Sequence, residues 1–127
     1  MTDKVLLDAN IIIRFFEGSE AMHYGKSLSI MQDIQGGKIK VLLLDLIIAE
    51  IIYVSKHIYR REKSEISNIL KEMIMMDNFY VENQPLTLEA LSLYENKNID
   101  FADAMLCAKK NLQGYEVMSF DKDLKKC

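Results

Sequence analysis

The residues of this chain best suited to chemistry are carboxylates. Asp8, Glu50, Asp103 and Asp121 are spread along its length, with Asp100 and Asp123 beside two of them. Asp8 directly follows the apolar run Val5-Leu6-Leu7, and Asp121 directly follows residues 115–120, so each stands where a strand is expected to end. Aspartate is also favoured in turns and at helix starts, which alone would account for either. Glu50 is harder to explain, because residues 46–54 are apolar on every side of it. A helix hydrophobic all round is buried by the core or by a partner subunit. A buried carboxylate must be protonated, paired with a base or bound to a metal. The nearest base in sequence, Lys56, lies off the same helix face. Asp100 and Asp103 fit the N-cap and N3 positions of one helix, and capping could explain both. A helix start that follows a strand-to-helix crossover also faces a cleft, which would bring Asp103 towards Asp8 and leave Asp100 as a flanking acid or a cap.

Such a set supplies oxygen ligands only, which suits hard divalent ions such as Mg²⁺ or Mn²⁺. His23 and His57 lie on helical stretches expected to face solvent, and Cys107 has no partner thiol at zinc-ligand spacing. A carboxylate-only metal site points to phosphoryl chemistry, in which the metal offsets phosphate charge, polarises the phosphodiester and lowers the pKa of the attacking water.

The pattern of apolar residues supplies the elements that would position these acids. Val5-Leu6-Leu7 and residues 41–44 read as buried strands, Phe79-Tyr80-Val81 as a third strand and residues 115–120 as a fourth. Between them the helical period predicts a short helix over 11–16 closed by Gly18, and a second capped by Ser19 and ending at Gly36-Gly37. Further helices are expected after the caps Asp45, Ser64, Thr87 and Asp100, the last ending near Gly114, with a final turn or helix opened by Asp121. Strands alternating with helices predict an α/β domain over residues 1–127, a three-layer α/β/α arrangement around a central, mostly parallel sheet of four or five strands. In such sheets ligands bind beyond the carboxyl ends of the strands.

Composition bounds the rest. The 127 residues are half hydrophobic and 28% charged, which excludes a disordered chain and suits one domain. Sixteen Lys and Arg against nineteen Asp and Glu leave a net charge of -3, so nucleic acid would not be held by a basic surface alone. The apolar stretch 41–54 is interrupted by Asp45 and Glu50 and falls short of the ~20 residues a membrane span requires. With no signal-peptide architecture, the expectation is a soluble cytoplasmic protein whose two cysteines, Cys107 and Cys127, are free thiols.

Val5-Leu6-Leu7-Asp8-Ala9-Asn10 resembles the opening of a PIN domain, where a buried strand ends in Asp, a small residue and a polar one. Residues 46–54 around Glu50 resemble the second acidic motif of that family. Asp103-Ala104-Met105-Leu106-Cys107-Ala108 resembles the third, and Ser119-Phe120-Asp121-Lys122-Asp123 the fourth. The four occur in order over nearly the whole chain, and the size matches the VapC-type toxins of toxin–antitoxin pairs. The resemblance implies a metal-dependent endoribonuclease. Asp8, Glu50, Asp103 and Asp121 would hold one or two Mg²⁺ or Mn²⁺ ions, with Asp123 able to share the fourth position. Asn10 would assist the first Asp, and Ser119 matches the small hydroxyl residue before the last. It also implies an RNA substrate and a cognate antitoxin segment across the active-site groove.

The Met-Ile-Met-Met run at 73–76 and the two apolar helices around it predict a homodimer built partly on them. Lys56, Arg60, Arg61 and Lys63 form the densest basic cluster, a solvated face or a track for RNA backbone. Arg14, one turn beyond Asn10, is a further candidate for contacting phosphate. No aromatic stacking platform is evident. A receiver-like signalling domain fits less well, since only one acid follows the first strand and the third is followed by Glu82-Asn83. A PIN-like binding module without catalysis is the remaining alternative.

Overall fold

A computed structural model describes residues 2–127, except for the side chains of Asp123 and Lys126. The strands β1 (Lys4–Leu6), β2 (Lys40–Leu42) and β3 (Phe79–Tyr80) form a sheet in the order β1-β2-β3. Both pairings are parallel, with Val5 opposite Val41 and Val41 opposite Phe79. Helices α1 (Ala9–Glu17) and α2 (Tyr24–Gln35) link the first two strands, and α3 (Asp45–His57) and α4 (Lys63–Ile74) the next two. After β3 come α5 (Gln84–Asn96), α6 (Phe101–Gln113) and a 3-10 turn, Lys122–Lys126. The expected α/β class with a parallel sheet is found, with three strands among the described residues rather than four or five.

The core is one cluster that includes Ile12, Ile34, Val41, Ile48, Leu70 and Leu91, all essentially inaccessible. Helix α5 packs between α4 and α6. The buried Ser67 is accommodated there because its hydroxyl donates to the Leu91 carbonyl at 3.1 Å, joining α4 to α5. The Thr87 hydroxyl donates to Asp45 Oδ1 at 3.0 Å and so ties α5 to the start of α3.

Several local expectations are corrected. Val5 and Leu6 are exposed, because β1 is an edge strand and not a buried one. Helix α2 starts at Tyr24 rather than after Ser19; the Tyr24 ring stacks on Phe15 at 6.3 Å, and turns fill the interval after Gly18. Helix α4 follows Glu62, not a Ser64 cap. Arg61 fastens that junction through Glu17 at 3.0 Å and through Glu65. Asn83, not Thr87, caps α5 by accepting from the Leu86 amide, with Pro85 in the first turn. Residues 115–120 form no strand. The Lys109 ammonium lies 5.7 Å from the centre of the Tyr115 ring, and Tyr115, Val117 and Met118 share a depression with Leu106, so the segment turns back along α6.

The two cysteines are not free: Cys107 and Cys127 are joined by a disulfide with Cα atoms 5.2 Å apart. Cys107 is buried on α6, so the bridge fastens the 3-10 turn to that helix. For the intervening 20-residue separation, chain entropy predicts that Cys127→Ser, or reduction, lowers unfolding free energy by about 3 kcal/mol. Urea denaturation checks this, and an unchanged midpoint would mean that the bridge does not constrain the unfolded chain.

Candidate active site

The start of α6 is fixed by side chains on both sides of it. Asp100 adopts extended backbone at the N-cap, and its Oδ1 accepts from the Asp103 amide at 3.2 Å. Ile99 and Phe101, on either side of the cap, are buried. Lys63 at the start of α4 donates to the Ile99 carbonyl at 2.6 Å, and its ammonium sits 4.4 Å from the centre of the Tyr94 ring. At the other end Gly114 takes a left-handed conformation (φ 75°) and closes the helix, as expected from sequence.

This junction forms one side of a cleft of about 570 Å³. Asp100, Asp103 and Asp121 line it together. Asp121 follows a short turn in which its amide donates to the Ser119 hydroxyl at 2.9 Å, so Ser119 shapes the approach to Asp121. The second half of α3, with Tyr53, Lys56 and His57, and Lys63 also line the cleft. Beneath lies Tyr94, whose buried hydroxyl has no hydrogen-bond partner among the described residues. An unpaired buried hydroxyl costs roughly 1–3 kcal/mol. Burial, and then the Asp100 charge, push the Tyr94 phenol above its ordinary value.

Asp8 and Glu50 do not line this cleft. Asp8 stands at the N-cap of α1, yet its side chain makes no capping hydrogen bond, so the helix start does not account for it. Glu50 is exposed, which corrects the expectation of a buried carboxylate. Helix α3 buries only the stripe Ile48, Ile51, Ile52 and Ser55, and leaves Leu46 and Tyr53 outside with Glu50 between them. The helical period puts Glu50 on the same side as Tyr53 and His57, at i+3 and i+7, next to the cleft wall. Asn10 and Arg14 line a separate depression with His23, and Arg14 donates to the Met22 carbonyl at 3.4 Å. The side chain of Asp123 lies outside the described residues. No group of three or more His, Cys, Asp or Glu side chains converges closely enough to hold a metal among the described residues.

Sequence reading missed Tyr53 and His57 as parts of the site. Their i, i+4 spacing next to Glu50 was visible, but what α3 faces depends on where α6 packs.

A family model for the PIN domain matches residues 5–127. The chain belongs to the PIN-domain family. Over 122 residues it is 28% identical to the VapC ribonuclease of Aquifex aeolicus (strain VF5), a match that covers 95% of this chain and 90% of that protein. No solved structure matches it. The resemblance carried by the four acidic motifs is thereby borne out at the level of family. Among the described residues of this PIN domain, no helix is long and apolar enough to cross a membrane.

Burial, and next the Lys56 charge, push the Lys63 ammonium below its ordinary value of 10.5, against a smaller upward pull from Asp100. The folded chain therefore releases this proton at lower pH than the unfolded chain does. Stability should rise with pH through the alkaline window that ends at 10.5. Lys63→Met should flatten that rise in urea denaturation followed against pH. Near neutrality it should cost about 1–3 kcal/mol by leaving the Ile99 carbonyl unpaired. A variant that kept the alkaline rise would assign it to another group.

Proposed function

We propose that this PIN domain is a divalent-metal-dependent endoribonuclease that hydrolyses RNA phosphodiester bonds. The observation that carries the reading is that Asp100, Asp103 and Asp121 line one cleft of a PIN-family chain. The donor chemistry fits a hard ion: the acidic side of the cleft offers carboxylate oxygens, and Mg²⁺ binds through one or two carboxylates while retaining waters. Asp103 and Asp121 would hold the ion, Mg²⁺ or Mn²⁺, with Asp8 and Glu50 at the remaining acidic positions of the family and Asp123 able to stand in for Asp121. When bound, the metal supplies charge neutralisation at the scissile phosphate and an activated water.

The chain's own residues do the remainder. Asp100 accepts from the Asp103 amide through one oxygen and so holds Asp103 at the first turn of α6. Ser119 orients the turn before Asp121 in the same manner. Lys56 and Lys63 offset the phosphate charge that an acidic cleft would otherwise repel.

The similarity to a VapC ribonuclease supports a role as the toxin of a type II toxin–antitoxin pair, acting in the cytoplasm and restrained by a cognate antitoxin. A homodimer built on the helices around residues 73–76 would cover exposed apolar surface there, such as Met75. The position of Asp8 and Glu50 outside the cleft lining favours one competing reading, a PIN-like binding module without catalysis.

Incubation of mixed cellular RNA with purified protein tests the proposal. Discrete fragments are expected with Mg²⁺ or Mn²⁺ and none with EDTA. Asp103→Asn and Asp121→Asn should each slow cleavage about a hundredfold or more, since even residues that only support a metal ligand are worth 10- to 100-fold. Intact RNA from folded, partner-free protein would leave the binding module as the function.

A further inference from the structure

The cleft lined by the acids is also lined by two adjacent turns of α3 that carry Tyr53, Lys56 and His57. The Tyr53 and His57 rings are in contact, with centroids 4.6 Å apart and planes inclined at 43°. Tyr53 is 63% exposed, so nothing in the fold of a single chain requires an aromatic ring there. The cations of this region are not equivalent. Arg61 is engaged by Glu17 and Glu65, and Lys63 by the Ile99 carbonyl. Lys56 has no ion pair among the described residues, and both Lys56 and Lys63 line the cleft. An anion bound there would offset the repulsion between their ammonium groups.

We propose that Tyr53 and His57, with Lys56 beside them, bind one unpaired nucleotide of single-stranded RNA, the base stacked on the ring pair and its phosphate on the lysine. The proposal deepens the ribonuclease reading and rests on it for the class of ligand. An aromatic face accepts any base, whereas a base within a duplex has both faces covered by its neighbours. A cleft of about 570 Å³ lies within the ~300–1,000 Å³ range of sites that enclose small ligands. The arrangement fits RNA better than an apolar peptide because the exposed rings are interleaved with a cation and face carboxylates. A nucleotide stacked here would bring its neighbouring phosphodiester to the side of Asp103 and Asp121, so the wall selects unpaired RNA at the point of cleavage.

The test is fluorescence anisotropy of a labelled ten-residue oligouridylate with Asp103→Asn protein in Mg²⁺, so that binding is read apart from cleavage. Adding Tyr53→Ala should weaken binding about 5- to 100-fold, and His57→Ala should weaken it in the same direction. Tyr53→Phe should bind like the parent, and an RNA duplex of equal length should bind less tightly than the single strand. Tyr53 is exposed, so its variants should fold, which circular dichroism checks; His57→Ala carries the test if Tyr53→Ala does not fold. Unchanged affinity in folded Tyr53→Ala would overturn the proposal, as would equal losses in Tyr53→Ala and Tyr53→Phe. So would a change in molar mass by light scattering that accounts for the loss, since the ring would then belong to an interface between copies. Single-strand binding through Tyr53 by a wild-type chain that cleaves nothing would sink the ribonuclease reading while sustaining the binding wall.

Discussion

The placement of Asp100 and Asp103 in the cleft depends on one short junction, the five residues from Ile99 to Asp103. Two buried apolar side chains, Ile99 and Phe101, bracket an aspartate that caps the helix they lead into. Lysine from another helix holds the carbonyl just before it. A cap contributes typically about 1 kcal/mol, and a hydrogen bond from a charged donor somewhat more. Their joint effect here is positional: the first turn of α6 has a fixed entry angle. Behind it the buried faces of Ala104, Cys107 and Ala108 are small, which lets α6 pack closely against its neighbours. The carboxylate at position 103 inherits its location from that seating.

The electrostatics of the cleft follow from its mixed lining. Three carboxylates and two lysines line a single volume. Exposed ion pairs contribute little to stability, so the fold itself gains little from these charges. A lining that carries both signs suits a ligand that is itself an anion bridged to a cation.

The sequence was most informative where the determinant is local. The Asp100 cap and the Gly114 terminator were read correctly because each acts within one helical turn. The ordered acidic motifs led to the family, which the match over residues 5–127 bears out. Glu50 was misjudged because an all-apolar surrounding implies burial only if something covers the second face, and one chain covers just the stripe from Ile48 to Ser55. Residues 115–120 were read as a fourth strand, but a strand exists only with a partner, and this segment follows α6 instead. The pairing of Cys107 with Cys127 has no signature in spacing. It depends on the last residues returning to the second turn of a helix twenty positions earlier.

That pairing also bears on how the two acids stay together. Asp103 lies one helical turn before Cys107, and Asp121 lies within the loop that the disulfide closes. The covalent ring therefore sets the effective concentration of one carboxylate at the other, independently of whether residues 115–121 keep their native contacts. For a short flexible tether this concentration is in the millimolar range, and loop closure becomes only slowly less favourable as a ring lengthens. Loosening of residues 115–121 would leave Asp121 tethered to α6 through the ring. Connectivity thereby adds to whatever packing holds the segment.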